Sequence, residues 1–215
     1  METRWDAVVF DYGRVLSLAP SVAEMQQFAG LVGLSEPPFF EIYSATRDEY
    51  DRGRHDCRQH WQRFAAAAGV DISDEHLPHI VECETLMWLR ANPEALELAR
   101  EIRAAGTRTA ILSNIPHDLL RDVRTRFDWL DEFEVQIWSC EHGVIKPDPA
   151  IYRICLDALG CEAKRTLFFD DRPNNVEGAK TAGMEAHLFE SVEQARTIVA
   201  AGLGKSPSEK LSAGA

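Results

Sequence analysis

Short apolar segments recur along the chain, and segments with a helical pattern separate them. These apolar segments are continuous and do not alternate with polar residues, which is typical of strands that are covered on both faces of a parallel sheet. We predict strands at 8–10, 109–112, 135–138, 166–169 and 186–189. Parallel strands need crossover connections, and the intervening helical segments are long enough to supply them. The pattern therefore predicts an α/β fold with a central parallel sheet and helices on both faces.

Capping signals mark the helices between the later strands. Asn92 is followed by Pro93, and Gly106 lies after the last apolar position of that helix. In the same way, Asp148 precedes a helical segment at 149–159, and Gly160 follows it. Small polar residues favour helix starts and glycine favours helix ends, so both segments are predicted helices.

A helical region without strand signals lies between the first and the second strand. We predict helices at 21–32, 38–51, 57–68 and 73–89, with glycines 33, 53 and 69 at their ends. Trp61, Phe64, Leu86 and Trp88 are expected to fill the core of this region. The predicted organisation is a core domain at 1–17 and 91–203, with a helical domain at 18–90 inserted in it. Residues 204–215 are small and polar, and we predict that they are disordered.

Composition narrows the partners and the location. The formal charge of the 215-residue chain is −12, which disfavours binding to nucleic acid or to an anionic membrane and favours a small diffusible substrate. The five cysteines form no Cys-x-x-Cys pair, which fits reduced thiols. No apolar signal region precedes the first strand, and no segment has the roughly 18 apolar residues of a membrane span. We therefore predict a cytoplasmic protein.

Polar residues follow four of the predicted strands, at the edge of the sheet where α/β proteins bind ligands. Asp11 follows the first strand, Ser113 and Asn114 follow the second, Lys146 comes after the third, and Asp170 and Asp171 follow the fourth. Each of these residues alone could simply form a turn or cap a helix. Together, carboxylates offer hard oxygen ligands for Mg²⁺, and lysine, serine and asparagine offer donors to a phosphoryl group. The set suits hydrolysis of a phosphomonoester.

Four ordered motifs resemble those of the haloacid dehalogenase superfamily. The motifs are Phe10-Asp11-Tyr12-Gly13-Arg14-Val15-Leu16, Leu112-Ser113-Asn114, Lys146-Pro147-Asp148, and Phe169-Asp170-Asp171 with the following Asn175. The resemblance implies a Rossmann-like core of three layers, in which the inserted helical domain is a cap of the first subfamily. It also implies a Mg²⁺-dependent hydrolase.

The resemblance implies a role for each motif residue. Asp11 would be the nucleophile, Ser113 the hydroxyl that binds the phosphoryl group, and Lys146 the stabilising cation, with Asn114 beside them. The ligands of Mg²⁺ would be Asp11, the carbonyl of Gly13, Asp171, and Asp170 as a ligand or as a partner of a ligand. Asn175 takes the place of a further carboxylate and would act through a water on the metal. Arg14, Arg52 and His117 are polar candidates for substrate binding near the mouth of the site.

Gly13 departs from the family pattern. Phosphatases of this superfamily usually have a second aspartate two residues after the nucleophile, which protonates the leaving group and later activates water. A general acid or base typically contributes 10² to 10⁴-fold in rate, so its loss costs about 3 to 5 kcal/mol of barrier. The sequence resembles a branch with Asp-x-Gly-x-Val that includes sugar-phosphate phosphatases and the phosphatase-like domain of soluble epoxide hydrolase.

Three functions remain open from the sequence. The leading one is a Mg²⁺-dependent phosphatase of a small phosphorylated metabolite, for example a sugar phosphate, that is slow because of Gly13. The second is a metal-independent 2-haloacid dehalogenase that uses the same Asp11; the missing acid favours it, whereas the Asp170 and Asp171 pair favours a metal. The third is a noncatalytic binding or regulatory module on the same scaffold. The retention of Asp11, Lys146 and Asp171 argues against this third function.

Overall fold

The computed structural model describes residues 4–202, and its centre is a sheet of five parallel strands. The order of the strands in the sheet is β3-β2-β1-β4-β5. The strands are β1 (Ala7–Phe10), β2 (Arg108–Ser113), β3 (Val135–Trp138), β4 (Thr166–Asp170) and β5 (Glu185–Leu188). All five predicted strands are confirmed, and their ends agree with the prediction to within one residue. The tail predicted to be disordered at 204–215 lies outside the described residues.

Eleven α-helices are described between residues 4 and 202, besides two short 3-10 helices and a π-type turn at Tyr12–Leu16. In chain order they are α1 (Val22–Gly30), α2 (Glu36–Thr46), α3 (Asp48–Asp51), α4 (Cys57–Ala68), α5 (Leu77–Trp88), α6 (Pro93–Ala104), α7 (His117–Arg126), α8 (Ser139–His142), α9 (Pro149–Leu159), α10 (Pro173–Thr181) and α11 (Val192–Gly202). Asn92 caps α6 and Asp148 caps α9, as predicted.

The two faces of the sheet are covered by different helices, which gives the predicted three-layer architecture. Val8 and Phe10 point to the face that packs against α6, α7 and α11, whereas Ala7 and Val9 point to the face covered by α9 and α10. All four side chains are fully buried. Burying one large apolar side chain contributes about 1.5 to 3 kcal/mol to the free energy of folding. Packing on both faces therefore fixes the sheet, and with it the positions of the strand ends.

The register of the strands brings the motif residues to one edge. Phe10 lies opposite Ile111 of β2 on one side and Phe169 of β4 on the other. Asp11 follows Phe10, and its backbone N–H donates to the carbonyl of Phe169 at 2.9 Å. Asp170 is the next residue of β4. The two carboxylates therefore end neighbouring strands at the same level.

The inserted region between α1 and α5 has its own apolar cluster. Trp61 and Phe64 are buried in it, as predicted, together with Phe28 and Phe39. The prediction for Leu86 was wrong, because its side chain is 58% exposed. The buried face of α5 carries Leu77, Ile80, Glu84 and Met87, and Leu86 lies off this stripe. Trp88 is half-buried and packs against both this cluster and the sheet layer.

Two predicted helix ranges differ from the structure. The segment predicted at 38–51 is divided into α2 and α3 at Arg47. The helix predicted to start at residue 73 starts at Leu77, and 74–76 form a turn. Pro78 explains the later start, because proline lacks the N–H that a helix interior requires and fits the first turn.

The chain leaves and re-enters the sheet layer at adjacent points. Ser17 and Ala91 form an isolated antiparallel bridge, and the N–H of Leu18 donates to the carbonyl of Arg90 at 2.7 Å. The boundaries of the inserted domain at 18 and 90 stay a prediction. Within residues 4–202, no helix combines the length and the apolarity that crossing a membrane requires. All five cysteines are free.

Candidate active site

Lys146 lies at the centre of the strand ends. Its ammonium contacts Asp11 Oδ1 at 2.8 Å and donates to Asp170 Oδ2 at 2.6 Å and to the carbonyl oxygen of Leu112 at 2.8 Å. An ammonium has three protons, so these oxygens use all of them. The residue is only 2% exposed. Burial lowers the pKa of Lys146, but the two carboxylates outweigh that effect and raise it. We call Lys146, Asp11 and Asp170 the Lys146 cluster.

Asn114 holds the backbone of Lys146. Its Nδ2 donates to the carbonyl oxygen of Lys146 at 2.9 Å, and its Oδ1 accepts from the N–H of Lys146 at 2.8 Å. Both ends of the amide are therefore engaged. The geometry favours a positioning role for Asn114 over the predicted direct contact with substrate, although the residue does line the cavity described below.

Asp11 keeps one carboxylate oxygen available. Its Oδ1 contacts Lys146 and accepts from the N–H of Tyr12 at 2.7 Å. Among residues 4–202, no side-chain or backbone donor bonds to Oδ2. Burial raises the pKa of Asp11 to about 7, since the nearby Asp170 and Asp171 add to the effect and Lys146 only partly opposes it. A second cation beside Asp11 would restore the charged form.

Asp170 is fully engaged by the protein. Its Oδ1 accepts from the N–H of Arg172 and from Asn175 Nδ2, both at 2.9 Å, and its Oδ2 accepts from Lys146. Its exposed fraction is zero. Asn175 is buried as well and turns its amide nitrogen to Asp170. Both residues are therefore better placed to orient their neighbours than to offer new bonds.

Asp171 faces the mouth of the site, where Arg14 approaches it. Arg14 Nε lies 3.8 Å from Asp171 Oδ2, and the arginine side chain is 47% exposed. Burial and the adjacent Asp170 raise the pKa of the Asp171 carboxyl. Arg14 has φ 60° and ψ 5°, a left-handed conformation that costs a non-glycine residue roughly 1 to 2 kcal/mol. The loop after β1 thus holds strain next to the site.

The carboxylates fit a divalent cation. One carboxylate oxygen from each of Asp11, Asp170 and Asp171 lies within 4.8 Å of the other two. Three carboxylates around one lysine leave excess negative charge in a buried place, which is costly without a further cation. Hard oxygen donors of this kind suit Mg²⁺.

A cavity of about 790 Å³ opens in front of these residues. Asp11, Gly13, Ser113 and Lys146 are among the residues at its floor. A Cβ added to Gly13 would lie 3.6 Å from Trp88 Cζ3, an ordinary contact. Sterics at the first side-chain atom therefore do not require glycine where the family pattern has an acid.

Two residues predicted for substrate binding do not line this cavity. Arg52 pairs with Glu49 at 3.2 Å and with Asp48 at 3.7 Å. His117 is exposed at the start of α7, and its ring lies against Gly53. Arg14, in contrast, does line the cavity. The sequence placed all three near the mouth, but only the docking of the inserted helices decides which side chains reach it.

The inserted helices contribute cavity residues that the sequence analysis missed. They include Glu36, Phe40, Tyr43, Arg47, Asp48, Asp51 and Trp88. Arg47 donates from Nη2 to Asp51 Oδ1 at 2.8 Å and also bonds to Glu84 and to the hydroxyl of Tyr43. We call these four residues the Arg47 cluster. The spacing of Arg47 and Asp51, four residues apart, was the only signal available in the sequence.

The inserted region is also bonded to the sheet layer. Ser139 Oγ donates to the backbone carbonyl of Asp51 at 2.6 Å and accepts from the N–H of Ile115 at 2.9 Å. Tyr12 donates its hydroxyl proton to the carbonyl of Trp88 at 2.8 Å. These contacts place the helical region over the strand ends.

The chain belongs to the haloacid dehalogenase-like hydrolase family, whose model matches residues 6–183. Among the curated relatives, a phosphatase of Mycobacterium tuberculosis is 30% identical over 133 residues, which are 60% of each chain. A sesquiterpene phosphatase of Aspergillus oryzae is 26% identical over 194 residues, which cover 89% of this chain and 94% of the relative. The protein is therefore a hydrolase, and its relatives support a phosphatase.

Solved structures share the fold. A family enzyme from Bacteroides thetaiotaomicron, in complex with magnesium and inorganic phosphate, has a TM-score of 0.68 and 19% identity and covers 86% of this chain and 93% of its own. An L-2-haloacid dehalogenase from Xanthobacter autotrophicus has a TM-score of 0.64 and 20% identity, with coverage of 90% and 82%. At this identity, the likeness concerns the fold alone and does not choose between phosphatase and dehalogenase.

Proposed function

We propose that the protein is a Mg²⁺-dependent phosphatase that hydrolyses a small phosphomonoester, such as a sugar phosphate, through Asp11. One observation carries the proposal. Among residues 4–202, no donor bonds to Asp11 Oδ2, and Asp11 lines the cavity beside Lys146 and Asp171. A nucleophile, a buried cation and excess carboxylate charge are what phosphoryl transfer through an aspartate needs.

In this reaction, Asp11 attacks phosphorus, and the bond between phosphorus and the alcohol oxygen breaks as the aspartyl-phosphate forms. Water then attacks this phosphorus, so that phosphate leaves and the carboxylate of Asp11 is regenerated. Lys146 would balance charge on the phosphoryl oxygens, and the hydroxyl of Ser113, which lines the cavity, would donate to one of them. Asn114 keeps Lys146 in position through its two backbone bonds.

The residues that would hold Mg²⁺ are Asp11 and Asp171, with the carbonyl of Gly13 as a further oxygen. Asp170 and Asn175 would orient this group, because their polar atoms already bond to each other and, for Asp170, to Lys146. When bound, Mg²⁺ supplies positive charge that offsets the phosphate dianion and lowers the pKa of the acids around it.

Because Gly13 has no acidic side chain, we expect a low rate of hydrolysis. The leaving alcohol must take its proton from elsewhere, so substrates with acidic alcohols should react faster than simple alkyl esters. The same absence favours the second candidate, a 2-haloacid dehalogenase, since a halide needs no proton. The three clustered carboxylates favour the phosphatase, because dehalogenation through Asp11 needs no metal. A noncatalytic module would have no need for them.

The test is a substrate panel on wild type, Asp11→Asn and a matched control. The panel contains sugar phosphates, phenyl phosphate and 2-haloacids, each with Mg²⁺ and with chelator. Asp157→Asn is the control, because Asp157 is exposed on α9. We expect phosphate release that needs Mg²⁺ and falls at least about 10³-fold in Asp11→Asn only. Phosphate release that survives in Asp11→Asn contradicts the nucleophile, and halide release without metal establishes the second candidate.

A further inference from the structure

Trp88 borders the position where the family pattern has an acid. A Cβ added to Gly13 would lie 3.6 Å from Trp88 Cζ3, and outside the segment 9–17 no other atom of residues 4–202 lies within 4 Å of that point. Both Gly13 and Trp88 line the cavity. The space that the missing carboxylate would occupy is therefore open, and the edge of an indole ring lies beside it.

The protein holds Trp88 in this place by two kinds of contact. The hydroxyl of the buried Tyr12 donates to the carbonyl oxygen of Trp88 at 2.8 Å. The half-buried indole ring packs against the apolar cluster of the sheet layer and against that of the inserted region. Because the ring is already ordered by the protein, a ligand that meets it does not have to immobilise it.

The alcohol group of the substrate would lie beside the same ring. In the family pattern, the acid at position 13 protonates the leaving group, so the leaving oxygen belongs near Gly13. Without that acid, the bond between phosphorus and oxygen breaks with the electron pair on oxygen, and the resulting anion takes its proton from water afterwards. A phenol, with a pKa of about 10 as in tyrosine, carries this negative charge far better than an alkyl alcohol does.

We propose that the substrate is an aryl phosphate, a phosphomonoester of a phenol, and that Trp88 binds its aromatic ring. The inference rests on the proposed phosphatase function and names its substrate class. Two separate features support it: the missing acid selects an alcohol that can leave as an anion, and the indole selects an aromatic ring. Aryl phosphates therefore come ahead of sugar phosphates, whose alcohols are poor leaving groups and whose hydroxyls would lose water against the indole.

The test first separates recognition of the ring from the chemistry of the leaving group. Benzyl phosphate and cyclohexylmethyl phosphate both release a primary alcohol and have similar outlines, but only the first has an aromatic ring. With Mg²⁺, we expect kcat/KM to be about 3- to 10-fold higher for benzyl phosphate, which is the size of one aromatic pair. Phenyl phosphate, which releases a phenol, should exceed glucose 6-phosphate by at least about 10²-fold.

Variants assign the preference for an aromatic ring to Trp88. In Trp88→Leu, the ratio of kcat/KM between benzyl and cyclohexylmethyl phosphate should fall by about 3- to 10-fold, and Trp88→Phe should keep most of it. This ratio does not depend on how much of a preparation is folded, because both esters are measured on the same protein. Trp129→Leu is the matched control, since Trp129 is also half-buried against the apolar cluster of the sheet layer but does not line the cavity. It should leave the ratio unchanged.

A binding measurement keeps the inference separate from catalysis. Calorimetric titration of the two esters into Asp11→Asn protein with Mg²⁺ should give a Kd about 3- to 10-fold lower for benzyl phosphate, and adding Trp88→Leu should abolish the difference. Equal Kd values, a kcat/KM ratio that Trp88→Leu does not change, or faster hydrolysis of glucose 6-phosphate than of phenyl phosphate each overturn the inference and leave the phosphatase proposal standing. If wild type releases phosphate from no ester, both proposals fail.

Discussion

The Lys146 cluster and the Arg47 cluster solve a similar electrostatic problem in different ways. Each holds one cation between two carboxylates, and each contributes residues to the lining of the same cavity. Lys146 distributes three protons among three oxygens and leaves Asp11 Oδ2 unpaired among the described residues. In the Arg47 cluster, Glu84 accepts from both Arg47 and Tyr43, and Asp51 accepts from two nitrogens of Arg47.

The difference separates a cluster that suits the proposed reaction from a cluster that suits a structural role. A third carboxylate, Asp171, adjoins the Lys146 cluster and gives it room for a further cation. The planar guanidinium of Arg47 instead fixes several partners at once and stacks within 4.9 Å of the Tyr43 ring and 5.2 Å of the Tyr50 ring. We therefore expect loss of Lys146 to act mainly on rate and loss of Arg47 mainly on stability.

The largest expected effect is on catalysis. Lys146→Met should lower kcat/KM for phenyl phosphate by about 10³-fold, because the cation that balances the phosphoryl charge is removed. Lys180→Met is the control, since Lys180 is exposed on α10 and pairs with Glu177, which is itself exposed. A folded Lys146→Met protein, judged by circular dichroism, that keeps within tenfold of wild-type activity would contradict the assignment.

The second expected effect is on stability. Arg47→Met should lower the free energy of unfolding by about 3 kcal/mol, because Glu84, which is 2% exposed, loses its cation. Urea unfolding measures the change. Arg58→Met is the control: its partner Asp74 is 76% exposed, so the cost should stay below about 1 kcal/mol. Equal losses of unfolding free energy in the two variants would contradict a structural role for the Arg47 cluster.

The third expected effect is stabilisation by Mg²⁺, which should depend on the carboxylates beside Lys146 and not on the inserted helices. Mg²⁺ at about ten times its Kd should stabilise the protein by about 1.4 kcal/mol and raise Tm by about 3 to 5 °C. Chelator should reverse the shift. Asp171→Asn should abolish the shift in Tm, whereas Asp48→Asn in α3 should leave the shift unchanged. A shift that persists in Asp171→Asn places the cation elsewhere.

The smallest expected effect concerns acid stability near Arg47. His60 is fully buried, and its ring stacks on the ring of Tyr50 with the ring centroids 4.4 Å apart. Burial, and secondarily the charge of Arg47, lower the pKa of His60 to about 3. The unfolded chain, with an ordinary pKa near 6.5, therefore binds the proton more readily, and stability falls as pH drops below about 6.5.

Between pH 7 and 5.5 this proton alone should cost about 1 kcal/mol of unfolding free energy. His60→Phe should remove that part of the slope in urea titrations at the two pH values. His79→Phe is the control, since the side chain of His79 is 61% exposed. The same slope in His60→Phe as in wild type would assign the acid sensitivity to other groups.

Sequence patterns predicted the sheet well because each strand carries its own signal. The apolar segment before Asp11 and the one before Asp170 are covered on both faces, so local hydrophobicity reports their burial. The parallel register then brings their ends together without further information. This is why the residues of the Lys146 cluster could be grouped before their distances were known.

The residues that the inserted helices contribute to the cavity could not be predicted from local hydrophobicity. Whether Glu36 or Arg52 reaches the cavity depends on how helices of the inserted region rotate against the sheet layer, and both residues look equally polar in the sequence. Leu86 was misassigned for a related reason, because it lies off the buried stripe of α5 and is 58% exposed. Periodicity identifies a helix face, whereas tertiary packing decides what that face meets.

Gly53 carries a consequence for engineering the inserted region. A Cβ at this position would lie 2.6 Å from His117 Nε2 and 2.7 Å from the carbonyl oxygen of Cys140, closer than folded proteins tolerate. Its φ of 72° is also one that side chains rarely adopt. A chimera that takes its helical insert from a relative would need glycine at the equivalent turn. Any larger residue there would push the inserted helices away from His117 and Cys140.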